Sequence, residues 1–466
     1  MTKANHRRRR TSAATVRSIL LPGWGHLRLG RRRVGWTLVT LCVAVLAAVV
    51  VTLVAAGPTE LAARLVQPGV LIGVLAANTA VALFRLVPAL HVWSLAGGRS
   101  VIAAVLIALV VLAPHAAFGF VGYEAHRTLE TVFSAPATTS TTTSPTTTGP
   151  SSTSSSTTMA GTDTSTATHP PTTTTTLPPD PAELRLNVLL LGGDAGPRRS
   201  GLRTDTVIVA SIDTMTGASA LFSLPRNWGG LPLADGSAIP GRIMNEVYQW
   251  AVARPDRFPG PDPGAAALVE IAESLTGLDI DYFALVDLTG FAQVVDAVGG
   301  VTIDVPRAVY GPSYDPATGG YTMIRIPAGS RRLDGAETLA YVRERYQSSD
   351  HDRMHRQRCV LAALAESADT MSLLRGLRGI LAAVETHVTT DVPREEVPLL
   401  IRLAGSLDTH EIRVVGFDNS WRRGWDSRGF AIPDPDRISA AVAETLEHPE
   451  AVDERFGFPT SAEACG

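Results

Sequence analysis

The hydrophobic rhythm of the chain changes twice. Over residues 34–56, 65–84 and 101–122 apolar side chains run almost unbroken, each stretch close to the roughly 20 residues that cross a bilayer as a helix. Three transmembrane helices are expected there. From 134 to 181 the chain is almost entirely Thr, Ser and Pro, with no apolar period able to bury a face. That segment reads as a disordered tether, about 40 Å in root-mean-square span as a flexible coil. Beyond it the rhythm of a folded domain begins. Residues 186–191, 206–212, 218–224, 282–288 and 301–305 read as strands. Residues 263–276 and 290–297 read as helices, stopped by Gly277 and by Gly299-Gly300. Strands alternating with helices predict an α/β domain with a central mixed β-sheet flanked by helices. The expected organisation is a basic N-terminus over 1–33, a membrane part over 34–122, the tether, a domain over 184–448 and a tail over 449–466.

Charge adds orientation. Arg7 to Arg10, Arg17, Arg28 and Arg31 to Arg33 precede the first span, Arg85 and Arg99 flank the connection between the second and third, and Arg64 alone occupies the other short loop. By the positive-inside rule the N-terminus is cytoplasmic and everything after Gly122 lies outside a multi-pass cytoplasmic membrane protein. The segment 20–35, with Trp24 and Trp36 at its end, reads as interfacial. A formal net charge of −3 gives no footprint for nucleic acid. Of three cysteines, Cys42 lies in the first span, and Cys359 and Cys465 are external in this topology. Either those two pair as a disulfide or Cys359 is buried and Cys465 is a loose tail thiol.

The densest chemistry lies between Tyr341 and Arg358. Read as a strand, residues 339–345 place Tyr341, Arg343 and Arg345 on one face. From Asp350 the spacing becomes helical, with Arg353, Gln357, Val360 and Leu364 on one stripe. Guanidinium forks suit phosphate oxygens; the plain alternative is a solvated strand and a salt-bridged helix. Lys3 is the only lysine, so arginine is this chain's default cation and placement carries the information.

Six motifs in order resemble the LytR-CpsA-Psr family. They are Asp194; Arg203-Thr204-Asp205-Thr206; Ser223-Leu224-Pro225-Arg226-Asn227; Asp281-Tyr282-Phe283 through Asp287-Leu288-Thr289-Gly290-Phe291 to Val298-Gly299-Gly300-Val301; Tyr341-Val342-Arg343-Glu344-Arg345; and the run from Asp350 to Gln357. The resemblance implies an enzyme that moves a cell-wall glycopolymer from a polyprenyl-pyrophosphate carrier, in membrane lipid, to a peptidoglycan acceptor, with Mg2+ (or Mn2+). It implies Asp194 and Asp205 as metal ligands, Arg203 and Arg226 as pyrophosphate clamps, and Arg343, Arg345 and Arg353 as stabilisers of the leaving phosphate. Gln357 would orient oxygens, and Arg242, Asn245 and Arg356 join it in binding substrate, Arg356 one step off the Arg353 stripe. Asp350 is either the base for the incoming sugar hydroxyl or a helix cap. On the residues alone, Asp194 also reads as a turn residue, and Asp205 as a carboxylate paired with Arg203.

The chain departs from the family pattern at Asn227, where an aspartate is common, at Arg242, where a lysine is common, and in a short spacing from Arg345 to Asp350. Two alternatives remain: a pyrophosphatase with water as acceptor, and a non-catalytic lipid-pyrophosphate scaffold. For the carrier's tail the resemblance implies a groove, with the helix 265–275, Phe283, Leu285, Phe291 and Val294 as lining; the same residues serve equally as plain core.

Overall fold

The computed structural model describes residues 14–133, 185–195, 201–315, 318–344, 348–368, 370–449, 460, 461 and 465. The segment read as a tether, 134–181, and Arg345 lie outside the described residues.

Three N-terminal helices, Arg32–Ala56, Pro68–Leu95 and Val101–Val132, are long and apolar enough to cross a membrane. The second and third pack antiparallel: Asn78 donates to the carbonyl of His115 at 2.9 Å, and Gly122 lies against Leu75. A short helix Pro58–Leu65, with Pro at its first turn, bridges the first and second. Within the segment read as interfacial, Trp24–Arg28 forms one helical turn, and buried His26 sits 3.1 Å from His91 of the second long helix.

Among the described residues the C-terminal domain has twelve strands: β1 (Arg185–Gly193), β2 (Thr204–Asp213), β3 (Ser219–Ser223), β4 (Tyr282–Val286), β5 (Val301–Val305), β6 (Val309–Asp315), β7 (Gly320–Ile326), β8 (Gly329–Leu333), β9 (Val388–Thr390), β10 (Arg413–Gly416), β11 (Arg422–Trp425) and β12 (Ala431–Pro433). Six form the central sheet in the order β10-β3-β2-β1-β4-β9. β1 is antiparallel to β2 and parallel to β4, so the sheet is mixed as expected.

Period-two alternation divides the sheet into two faces. Leu189, Leu191, Val207, Val209, Phe222, Phe283 and Leu285 point to one of them and join the largest core. The helices Met244–Val252, Pro263–Thr276 and Pro435–Glu447 close that face with Met244, Val247, Leu268, Ile271, Leu275 and Ile438. Pro263–Thr276 matches its expected limits because both ends are specified locally: Asp262 accepts from Ala265 N at 2.9 Å, and Gly277 ends the helix at φ 70°. The opposite face carries Leu190, Ile208, Ala210 and Leu221, on which Leu361 packs.

Alternation also corrects the expected groove. Phe283 and Leu285 are buried in the first core together with the helix Pro263–Thr276, and of the expected lining Phe291 borders the pocket on the other side. A second correction concerns the segment read as a strand from 339, of which residues 339–343 form the end of a helix Gly335–Arg343. Asp334 accepts from Glu337 N at 2.8 Å while Glu337 accepts from Asp334 N at 3.2 Å, a reciprocal capping box that starts a helix at Gly335. Only glycine fits there, because a Cβ would stand 2.1 Å from the carbonyl oxygen of Ala292.

Cys359 and Cys465 form a disulfide, with 5.4 Å between Cα atoms and a sequence separation of 106. Next to it the tail runs along β10: Thr460 bridges to Arg413, and Ser461 N donates to Ile412 O at 2.7 Å. The bond closes a long loop across the helix Asp350–Ser367. Replacing both cysteines by serine is therefore expected to lower unfolding free energy by about 2–4 kcal/mol, read from urea denaturation. An unchanged midpoint would show that the tail adds no constraint.

Candidate active site

Two strand ends start the site. β1 and β2 pair antiparallel up to a register shift between Gly192 and Gly193, which places Gly193 opposite Thr204. A Cβ on Gly192 would meet Thr206 at 2.8 Å, so glycine there lets the strands close tightly. Just beyond, Asp194 N donates to Arg203 O, and Arg203 N donates to Asp194 Oδ1, both at 2.9 Å. This pair of bonds fixes the Asp194 carboxylate at the end of β1, beside Asp205 at the start of β2.

A third strand brings a cation to them. The chain leaves β3 through Leu224-Pro225 and presents Arg226, whose Nη1 donates to Asp205 Oδ1 at 2.5 Å and whose Nε donates to Asp350 Oδ1 at 3.2 Å. Arg353, one turn along the helix Asp350–Ser367, reaches Asp350 Oδ1 at 3.1 Å through Nη2, and its Nη1 donates to Asp205 O at 3.2 Å. Arg353 is 3% exposed and Arg226 13%, against 28% for both carboxylates. Asn245, in the first turn of Met244–Val252, donates to Asp205 Oδ1 at 3.3 Å.

Burial by itself would raise the Asp205 carboxyl, but the Arg226 guanidinium, the hydrogen bonds from Arg226 and Asn245, and the more distant Arg353 outweigh it and hold the group below the ordinary carboxylate range. Arg226 is shifted upward by the same partnership: burial opposes its charge, and Asp205 and Asp350 more than restore it.

These groups stand at the polar end of a pocket of about 220 Å³. Asp194, Asp205, Asp287, Arg343, Arg353 and Gln357 line it, together with an apolar wall of Leu190, Ala284 and Val286 from the sheet. Leu288 and Phe291 from the helix Leu288–Ala297, Leu339 and Val342 from Gly335–Arg343, and Val360 and Leu361 complete that wall. The pocket thus occupies the second face of the sheet, beyond the carboxyl end of β1, where open α/β sheets place ligands. One end offers charge, the other hydrocarbon.

The structure brings together Asp194, Asp205, Arg226, Asn245, Arg343, Asp350, Arg353 and Gln357. Of the other expected residues, Arg203 and Arg242 are exposed and Arg356 is turned elsewhere. Arg203 contributes backbone to Asp194 while its side chain is exposed, and the partner of Asp205 is Arg226 instead. Arg242 is exposed ahead of Met244–Val252. Arg356 points away from the pocket: buried, it donates to Tyr341 O at 2.9 Å and to Ser348 Oγ at 2.9 Å, and it pairs with Glu344 at 3.5 Å. It braces the turn between two helices, one position off the stripe that carries Arg353, Gln357 and Val360. The capping alternative for Asp350 is also overturned, since Ser349 is the cap and accepts from Asp352 N at 3.1 Å.

Sequence reasoning missed Asp287 as a lining residue. Its Oδ1 accepts from Gly290 N at 2.8 Å, capping Leu288–Ala297, and its Oδ2 lies 2.8 Å from His387 Nδ1. The pattern Asp-Leu-Thr-Gly before an apolar run was the available signal, as an N-cap.

As to a metal, Asp194 and Asp205 supply hard oxygen donors on adjacent strand ends, which suits Mg2+ completed by water and substrate oxygens. Among the described residues no group of three or more His, Cys, Asp or Glu side chains is arranged to hold an ion. Two carboxylates would leave the remaining positions around such an ion to water or to ligand oxygens.

A group with a depressed folded-state pKa contributes stability that is present above the unfolded value and lost as pH falls through the folded one. Arg226→Leu removes the cause at Asp205 and is expected to cost about 2 kcal/mol at pH 7. The gap in melting temperature between variant and wild type should close as the buffer is taken below about pH 4. A gap independent of pH would sink this account of the pair.

The LytR_cpsA_psr family model matches residues 150–426. A protein of Oceanobacillus iheyensis named polyisoprenyl-teichoic acid–peptidoglycan teichoic acid transferase TagU is 33% identical over 221 residues, 46% of this chain and 62% of the relative. The cell wall biosynthesis protein LcpA of Corynebacterium glutamicum is 26% identical over 281 residues, 56% of this chain and 52% of the relative. The matches therefore span less than two thirds of these curated relatives. Among solved structures, Bacillus subtilis TagV aligns with a TM-score of 0.44 at 23% identity, covering 59% of this chain and 98% of that one. The family model covers more than half of the sequence and contains every residue brought to the pocket: the chain belongs to the LytR_cpsA_psr family.

Proposed function

We propose that this protein is a membrane-anchored phosphotransferase that moves a glycopolymer from a polyprenyl-pyrophosphate carrier to peptidoglycan on the outer side of the membrane. The observation that carries the reading is the union of two surfaces in one pocket: a converging set of arginines and carboxylates, and a hydrocarbon wall leading away from them. A lipid pyrophosphate has the same two halves. The Oceanobacillus iheyensis relative, named a polyisoprenyl-teichoic acid–peptidoglycan teichoic acid transferase, supports the same class of donor and acceptor.

In this reading Arg226, Arg343 and Arg353 bind the pyrophosphate oxygens, and Gln357 orients them by hydrogen bonds. Asn245 acts through Asp205, holding its carboxylate in register. The acceptor hydroxyl oxygen attacks the glycan-bearing phosphorus, and the P–O bond to the carrier phosphate breaks, so polyprenyl monophosphate leaves. Asp350 takes the hydroxyl proton, and the arginines neutralise the charge that grows on the leaving phosphate. Mg2+ held by Asp194 and Asp205 would supply further charge neutralisation across the phosphate oxygens. The apolar wall takes the first isoprene units and excludes water.

Full-length protein in detergent, given a lipid-linked oligosaccharide, Mg2+ and a peptidoglycan acceptor, is expected to form a phosphodiester-linked product. Arg353→Ala should lower its rate by about 10²–10³-fold, and chelation of the divalent cation should stop it. Phosphate release without transfer would replace this reading by the hydrolytic one. Undiminished transfer in an Asp205→Ala, Arg343→Ala double variant would overturn the site.

A further inference from the structure

The residues between membrane and domain form a built interface. On the membrane side Val66, Leu129 and Phe133 meet Val392, Val397 and Leu400 of the domain, with Leu129, Val392 and Val397 buried. Polar contacts ring this apolar centre. Arg394 lies 3.2 Å from Glu130 and 3.0 Å from His126 Nδ1, and its backbone N donates to Phe133 O at 3.0 Å. Arg127 pairs with Glu385, Arg378 with Glu124 at 3.5 Å, and Arg402 with Glu60 at 3.8 Å. The acidic groups of the membrane part thus face basic groups of the domain in three of four pairs. The exposed pairs contribute little stability by themselves; they select orientation around the apolar centre.

We propose that the extramembrane end of Val101–Val132 and the helix Pro58–Leu65 are a receptor seat for this chain's own C-terminal domain, which stays docked without help from the Thr/Ser/Pro segment. Composition alone makes that segment a leash on which a domain would roam. The interface instead fixes the domain at one height and one rotation over the helices. It also reaches the pocket by short steps. Glu385 contacts the membrane helix, and two residues later His387 holds Asp287, which lines the pocket and caps Leu288–Ala297. The helix Thr370–His387 presses Gly376 against the carbonyl of Ala297, where a Cβ would stand 1.9 Å from the oxygen. The pocket wall is therefore one helix removed from the anchor. If the pocket takes a membrane-borne lipid, a clause that rests on the functional reading above, seating spares that lipid a search for its site.

The seat is tested apart from any activity. A specific protease site is inserted between Thr157 and Thr158 in full-length protein held in lipid nanodiscs, and cleavage is followed by size-exclusion chromatography. The severed domain is expected to co-elute with the nanodisc. Leu129→Asp, a change outside the domain's own fold, should send it to the free-domain position, with its melting temperature unchanged. Elution of the wild-type domain as free protein would overturn the proposal. So would retention that persists in Leu129→Asp, since attachment would then be through lipid or another surface.

Discussion

Arg226 is the interaction on which the site depends. Its guanidinium joins the start of β2 to the N-terminus of the helix Asp350–Ser367, through Asp205 on one side and Asp350 on the other. Neither element is a sequence neighbour of the other. A planar fork can hold two carboxylates at once, which a lysine ammonium does with less geometric definition. Because Arg353 takes the same Asp350 oxygen from below, three charged groups fix one another, and removal of any one leaves partly desolvated charge behind. Each guanidinium is thereby held in one orientation by the carboxylates around it.

The sheet explains why hydrocarbon lies beside this charge. Neighbouring residues on a strand face opposite ways, so Phe283 and Leu285 can belong to a sealed core while Ala284 and Val286 line a pocket. The small side chain of Ala284 on that second face, with Gly192 paired to Val286 further along, leaves room that the helices Leu288–Ala297 and Gly335–Arg343 roof without filling. One face supplies stability and the other supplies space.

Much of the fold was legible along the chain. The helix Pro263–Thr276 and the strand Val301–Val305 lie within their expected limits because their ends are written locally, in Asp262, Gly277 and Gly299-Gly300. The failure at residues 339–343 was one of competing signals. Tyr341-Val342-Arg343-Glu344 alternates like a strand, yet the capping box at Asp334 and Glu337 commits the chain to a helix before that alternation begins. In the site, Asp194, Asp205, Arg226, Arg353 and Gln357 converge, while Arg356 turns away. Residue type could not separate these cases in a chain with one lysine and abundant arginine. The direction of each side chain could.

By itself the sequence determined whatever has a local cause: three apolar helices, the strand and helix periods, the caps and the motif order that marks the family. Tertiary structure decided which carboxylate each arginine meets, that Cys359 closes on Cys465, that Asp287 faces the pocket, and that the domain rests on its own membrane helices. The reason is physical. Periodicity and capping act over a few residues and are recorded in their order, whereas pairing across 124 positions, as from Arg226 to Asp350, exists only once the sheet has brought the two strand ends and the helix to one place.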